Sequence, residues 1–134
     1  MNYRPVYLDT SALAKLIIPE AESRALAAWL IDWPDRFTSA LTRVEIMRLL
    51  RRGQATPGMF SRAEAVLDSV VTLHLDRPVL ATAAHLRDPL LRALDGIHLA
   101  SALSIGDLPD AFVTYDARLK RAAERLKLSV VCPR

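Results

Sequence analysis

The chain has 134 residues, 51% of them hydrophobic, and a formal net charge of +3 at pH 7. That size supports one domain with a core of its own, so neither a staple nor a structural metal is needed to hold the fold. The single cysteine, Cys132, excludes an intramolecular disulfide and a cysteine-rich zinc site. No charged start followed by an apolar stretch opens the chain, and no apolar run approaches the ~18 residues of a membrane span. A reduced, cytoplasmic protein without a membrane partner is expected.

Taken in order, Pro5 to Asp9 reads as a first strand. Ala12, Leu13, Leu16 and Ile17 form a helical stripe that stops at Pro19, and Ala25, Leu26, Trp29 and Leu30 form another that stops at Pro34. Arg36 to Ser39 is a second strand. Helical spacing resumes after Thr42 with Val44, Met47 and Leu50 or Arg51, and again with Phe60, Ala63, Val66 and Leu67; Pro57-Gly58 reads as a loop or break between the two. Val71 to Leu75 is a third strand, followed by a helix entered at Arg77-Pro78 that carries Leu80, Ala83 and Ala84. The next helix groups Ile97, Ala100 or Ser101 and Ser104 on one face. Asp107 and Asp110 then flank Pro109 in a turn before the strand Ala111 to Tyr115. A helix with Leu119, Ala122, Ala123 and Leu126 leads to a last strand, Ser129 to Val131, with Cys132 as a buried or half-buried thiol at its end. Strands alternating with helices predict an α/β unit around a parallel sheet, and no repeat or linker divides it.

Four acids stand where a strand or turn gives way to a helix: Asp9 in Tyr7-Leu8-Asp9-Thr10-Ser11, Glu45 in Thr42-Arg43-Val44-Glu45, Asp95 in Leu94-Asp95-Gly96-Ile97-His98, and Asp116 in Thr114-Tyr115-Asp116-Ala117. Each has a purely structural reading. Asp9, Asp95 and Asp116 suit helix N-caps, and Thr42 to Glu45 reads as a capping box stapled by Leu41 and Ile46. A parallel sheet, however, brings its strand ends to one edge, where ligands bind. Carboxylates gathered there would repel by ~4 kcal/mol per pair at ~4 Å and an effective dielectric of ~20. A divalent cation would relieve that repulsion.

In order and spacing, the four motifs resemble the PIN-domain nucleases, and more closely the VapC-type toxins of bacterial toxin–antitoxin pairs, over nearly the whole chain. The resemblance implies a single PIN domain spanning residues 1–134, a three-layer α/β fold with a central parallel sheet of four to five strands and about seven helices. It implies Asp9, Glu45 and Asp95 as the main metal-side carboxylates, Asp116 as a fourth, and Mg²⁺ or Mn²⁺ as the cofactor. The activity implied is endoribonuclease cleavage of a structured cellular RNA, such as transfer or ribosomal RNA, to 5′-phosphate and 3′-hydroxyl ends. The partners implied are a neutralising antitoxin whose C-terminal segment lies across the acids, and a second copy of the chain. The helix pairs spanning Ala12 to Leu30 and Val44 to Leu67 would offer the antitoxin's groove.

Around the acids, Ser11 and Thr114 are expected to orient carboxylates or bound water. Basic residues crowd two stretches, Arg43, Arg48, Arg51 and Arg52 beside Glu45, and Arg118, Lys120, Arg121, Arg125 and Lys127 beyond Asp116. Of these, Arg43, Arg48, Arg118 and Arg121 are candidates for RNA phosphate contacts. His98 shares a helix face with Asp95, but the three histidines are scattered and hard cations favour oxygen, so it reads as structural. A phosphatase with an aspartate nucleophile is disfavoured because Ser11 stands where a second Asp is usual. A degenerate PIN module that binds RNA or protein without cleaving is the remaining alternative.

Overall fold

A computed structural model describes residues 3–106 and 108–134; Asp107, assigned above to a turn, lies outside them. Five parallel strands form one sheet in the order β3-β2-β1-β4-β5: β1 Val6–Leu8, β2 Arg36–Ser39, β3 Val71–Leu73, β4 Ala111–Val113 and β5 Val130–Val131. Seven helices surround it: α1 Thr10–Ile17, α2 Ser23–Leu30, α3 Ala40–Arg52, α4 Pro57–Asp68, α5 Arg77–His85, α6 Ala93–Leu103 and α7 Ala117–Arg125.

Alternation along the central strands sets the layers, because successive side chains of a strand point to opposite faces. Val6 and Leu8 of β1 and Ala111 and Val113 of β4 enter a core with Leu13, Ile17, Leu26, Ile46, Leu50 and Leu67. Tyr7 and Phe112 turn the other way, stacked at 5.2 Å between ring centres, into a second core with Leu99, Leu119 and Ala123. Helices α1 to α4 therefore cover one face and α6 and α7 the other, with α5 packed on α6. A sheet covered on both faces accounts for the unbroken burial of β1 and β4. At their carboxyl ends, Leu8 pairs with Val113, and the Asp9 amide donates to the Val113 carbonyl at 3.2 Å.

Several boundaries differ from the sequence reading. The Thr42 to Glu45 capping box does not form: β2 runs straight into α3, Ser39 caps it by accepting from the Leu41 amide at 3.1 Å, and Glu45 falls in the second turn. Thr42 instead bonds Thr38, 2.7 Å away, which in turn donates to the Leu8 carbonyl. Pro57-Gly58 is not a break but the first turn of α4, capped by Thr56, where a proline's missing N–H costs nothing. Helix α6 starts at Ala93, so Asp95 lies inside its first turn rather than capping a helix from Gly96. Cys132 is half-buried one residue past β5.

Candidate acidic site

Asp9, Glu45, Asp95 and Asp116 line one cleft of about 240 Å³, together with Thr10, Ser11 and His98. Each carboxylate comes from a different structural element. Asp9 follows β1 and caps α1, Glu45 projects from α3, Asp95 from the first turn of α6, and Asp116 follows β4 and caps α7. Capping and cleft lining coincide for Asp9 and Asp116, since the strand-to-helix turn that needs a cap also ends at the sheet edge.

Asp9 forms the floor. It is buried, yet its oxygens accept from the Ala12 amide at 2.9 Å, from the Ser11 hydroxyl at 2.7 and 3.0 Å, and from the Thr114 hydroxyl at 2.6 Å. Burial pushes its pKa above the usual value, against the lowering effect of Thr114, His98, Ala12 and Ser11. Ser11 also accepts from the Tyr115 amide at 2.9 Å, so one hydroxyl ties the β4 end to the β1 end. The two hydroxyls singled out from sequence thus do contact a site carboxylate.

The Glu45 wall is built from a chain of side chains that sequence reasoning treated as separate. Glu45 Oε1 lies 2.5 Å from the Thr10 hydroxyl and 2.7 Å from His98 Nε2, and His98 Nδ1 lies 2.7 Å from the Tyr7 hydroxyl. Because an ionised carboxylate only accepts, Nε2 donates to Glu45, and Nδ1 shares a hydrogen bond with Tyr7. Burial pushes the Glu45 pKa up, but the bonds from His98 and Thr10 and the His98 charge outweigh it and leave the group lowered. Tyr7 is held well above the ordinary phenol range by burial and by the Asp9 charge, so it keeps its proton. His98, read from sequence as structural, is held between Tyr7 and Glu45 and contacts the Glu45 carboxylate.

The Asp95 side of the cleft is undersatisfied. Among the described residues, Asp95 Oδ2 is buried with no hydrogen-bond donor, and Arg118 Nε stands 3.7 Å away, an ion-pair distance without a hydrogen bond. Burial and the Asp116 charge raise the Asp95 pKa, with Arg118, His98 and Arg92 opposing. Asp116 spends one oxygen on the Arg118 and Leu119 amides at 2.9 and 3.1 Å.

The four candidate arginines part company. Arg118 and Arg121 line a recess that shares Asp95 with the cleft. Arg48 is exposed on α3. Arg43 is engaged elsewhere, 2.5 Å from Glu64 and 3.1 Å from Asp68, where it ties α3 to α4.

Among the described residues, no three acidic, histidine or cysteine side chains are close enough to enclose an ion directly. The donors still fit a hard cation: all four are carboxylates, they surround one cleft, and an orphaned buried oxygen faces like charge across it. Mg²⁺ keeps several of its waters and takes only one or two carboxylates directly, so such a spread suits it.

The PIN-domain family model matches residues 6–125, which contain all four acids. The chain belongs to the PIN-domain family. It is 46% identical over 132 residues to Ribonuclease VapC35 of Mycobacterium tuberculosis, covering 96% of both chains. The same fold occurs in VapC20 of that organism, described as a toxin that cleaves the sarcin–ricin loop (TM-score 0.69, 19% identity, 87% of this chain and 94% of that one). It occurs also in VapBC2 of Rickettsia felis, solved on a fragment of promoter DNA (TM-score 0.73, 14% identity, 97% and 99%). The five-stranded parallel sheet with seven helices agrees with the expected PIN architecture.

Proposed function

We propose that the chain is a Mg²⁺- or Mn²⁺-dependent endoribonuclease and the toxin of a toxin–antitoxin pair. The observation that carries this reading is the convergence of four carboxylates from four elements on one cleft, with Asp95 left without a donor. The high identity to a chain named as a ribonuclease supports the same reading.

Asp9, Glu45, Asp95 and Asp116 would hold the cation, partly through water. When bound, it would lower the pKa of the attacking water and offset charge on the scissile phosphate. The protein's own part is positional. Ser11 and Thr114 fix the Asp9 oxygens, His98 and Thr10 fix Glu45, and Arg118 and Arg121 flank the acids where an RNA backbone would run. A preset site avoids reorganising its dipoles during reaction. An aspartate-nucleophile phosphatase fits poorly, because Asp9 already accepts from three residues.

Neutralisation would come from an antitoxin segment laid along the helices between α1–α2 and α3–α4, where Val44 is 59% exposed, with a basic side chain entering the cleft. A homodimer and a cytoplasmic setting belong to the same reading. A monomer in solution would remove the dimer from it.

The deciding experiment compares RNA cleavage by the wild type, Asp9→Asn and Asp95→Asn in Mg²⁺, in Mn²⁺ and in chelator. Cleavage by the wild type with either ion, and loss of it in both variants and in chelator, is expected. Undiminished cleavage in the variants and in chelator contradicts the metal-nuclease reading.

A further inference from the structure

Beside the acidic cleft, a track of cavities leads away along α7. The recess that shares Asp95 with the cleft has a volume of about 220 Å³ and is bordered by Arg118, Arg121 and Arg125. These three exposed arginines stand three and four residues apart on α7 and so form one basic row. The recess in turn shares Asp88, Leu91, Ala122 and Arg125 with a further cavity of about 580 Å³. Its inner wall is apolar, made by Leu86, Leu91, Leu99 and Leu126, and its polar members are His85, Arg87, Asp88 and Arg125, of which Arg125 Nη1 bonds Asp88 at 2.7 Å. Leu99 and Ala122 belong to the second core, so this wall is held by the packing of α6 against α7.

We propose that this cavity receives one unstacked base of the RNA strand, while the Arg118–Arg121–Arg125 row holds the phosphates between that base and the carboxylates. The proposal deepens the nuclease reading and rests on it for the identity of the strand. Proteins that hold single-stranded nucleic acid pair a basic track for the backbone with aromatic faces for the bases; here leucine side chains would supply the covering surface instead. The volume falls in the range of about 300–1,000 Å³ that takes compact organic ligands. Arg87, Arg118, Arg121 and Arg125 against Asp88 and Asp95 leave the track net positive, which favours a polyanion as the occupant. Base edges in paired A-form RNA are hard for side chains to reach, so the site would act on a loop or unpaired segment.

The test measures binding of a short single-stranded RNA to the full chain in chelator, where cleavage is suppressed, with a single abasic residue moved along the strand. One position should weaken binding about tenfold in the wild type. In Ala122→Leu, which narrows the cavity, and in Arg125→Ala, at its exposed rim, that penalty should shrink to less than about twofold. Equal binding of all abasic strands, or an undiminished penalty in a folded variant, overturns the proposal. So does a shift of the monomer–dimer equilibrium by these variants without any change in base discrimination, which would make the cavity a contact between copies. Cleavage in Mg²⁺ is scored separately: a base effect without cleavage refutes the nuclease reading alone, and cleavage without a base effect refutes the pocket alone.

Discussion

The two walls of the acidic cleft are built on opposite principles. On the Glu45 side the carboxylate is satisfied by Thr10 and His98, with Tyr7 behind His98, and its pKa is lowered. On the Asp95 side a buried oxygen has no donor, Asp116 adds like charge, and the pKa is raised. A buried polar atom without a partner is costly, so a protein that keeps one leaves it for something that binds there. The chain itself orients one wall and leaves the other open to the cation proposed above.

The largest expected effect comes from breaking the undersatisfied wall. Asp95→Asn should lower RNA cleavage by ~10²–10³-fold under single-turnover conditions, on the scale of losing one group that stabilises transition-state charge. Its thermal midpoint in chelator should nonetheless rise, because Asn removes the repulsion with Asp116. A fall in stability would mean that Asp95 is a structural residue.

Breaking the satisfied wall should cost less. His98→Gln leaves the Glu45 carboxylate present but no longer oriented, and a ~10- to 100-fold loss of cleavage is expected. Tyr7→Phe removes the bond to His98 Nδ1 and should cost ~1 kcal/mol of stability with a smaller loss of activity. Equal loss in Tyr7→Phe and His98→Gln would show that packing, not orientation, is at stake.

Smaller effects separate the basic residues. Arg118→Ala should weaken RNA binding and flatten its salt dependence by about 0.7 in log–log slope, as expected for one phosphate contact on a single strand. Arg43→Ala should chiefly lower the melting temperature, since its partners are Glu64 and Asp68. An altered slope for Arg43 and none for Arg118 would reverse that division.

The smallest signal is the pH dependence of stability in chelator, and the walls should differ in sign. Asp95 has a folded pKa above its unfolded value, so the folded state binds the proton more tightly and stability declines as pH rises from about 3.8 through the folded value. Asp95→Asn should flatten that decline. Glu45 has a folded pKa below its unfolded one; its contribution is present above about 4.5 and is lost as pH falls through the folded value. Glu45→Gln should therefore flatten the acid limb instead. Identical melting profiles for the two variants would remove the distinction between the walls.

Much of this arrangement was legible in the chain. Alternating strands and helical stripes predicted the parallel sheet, and Asp9 and Asp116 could be put on one edge because both follow strands. What was hidden depended on contacts between distant residues. Tyr7 and His98 lie 91 residues apart, and Tyr7 reads as one more core position of β1. Arg43 looked free beside Glu45 because its partners belong to the next helix. The false capping box arose because Thr42 to Glu45 has the right residue types, while Ser39, at the strand end, takes the cap three residues before Thr42. The position of His98 three residues after Asp95, on the same helix face, put it near the acids in sequence but did not show its bond to Glu45.

Whether a divalent ion completes the Asp95 wall is tested most directly by Mn²⁺-dependent thermal stabilisation. Binding to the folded state alone raises the melting temperature with ion concentration. Wild-type protein should show a saturable rise with Mn²⁺ that chelator reverses, and Asp95→Asn should lose most of it. An equal rise in both proteins, or none in the wild type, would contradict a cation held between these carboxylates.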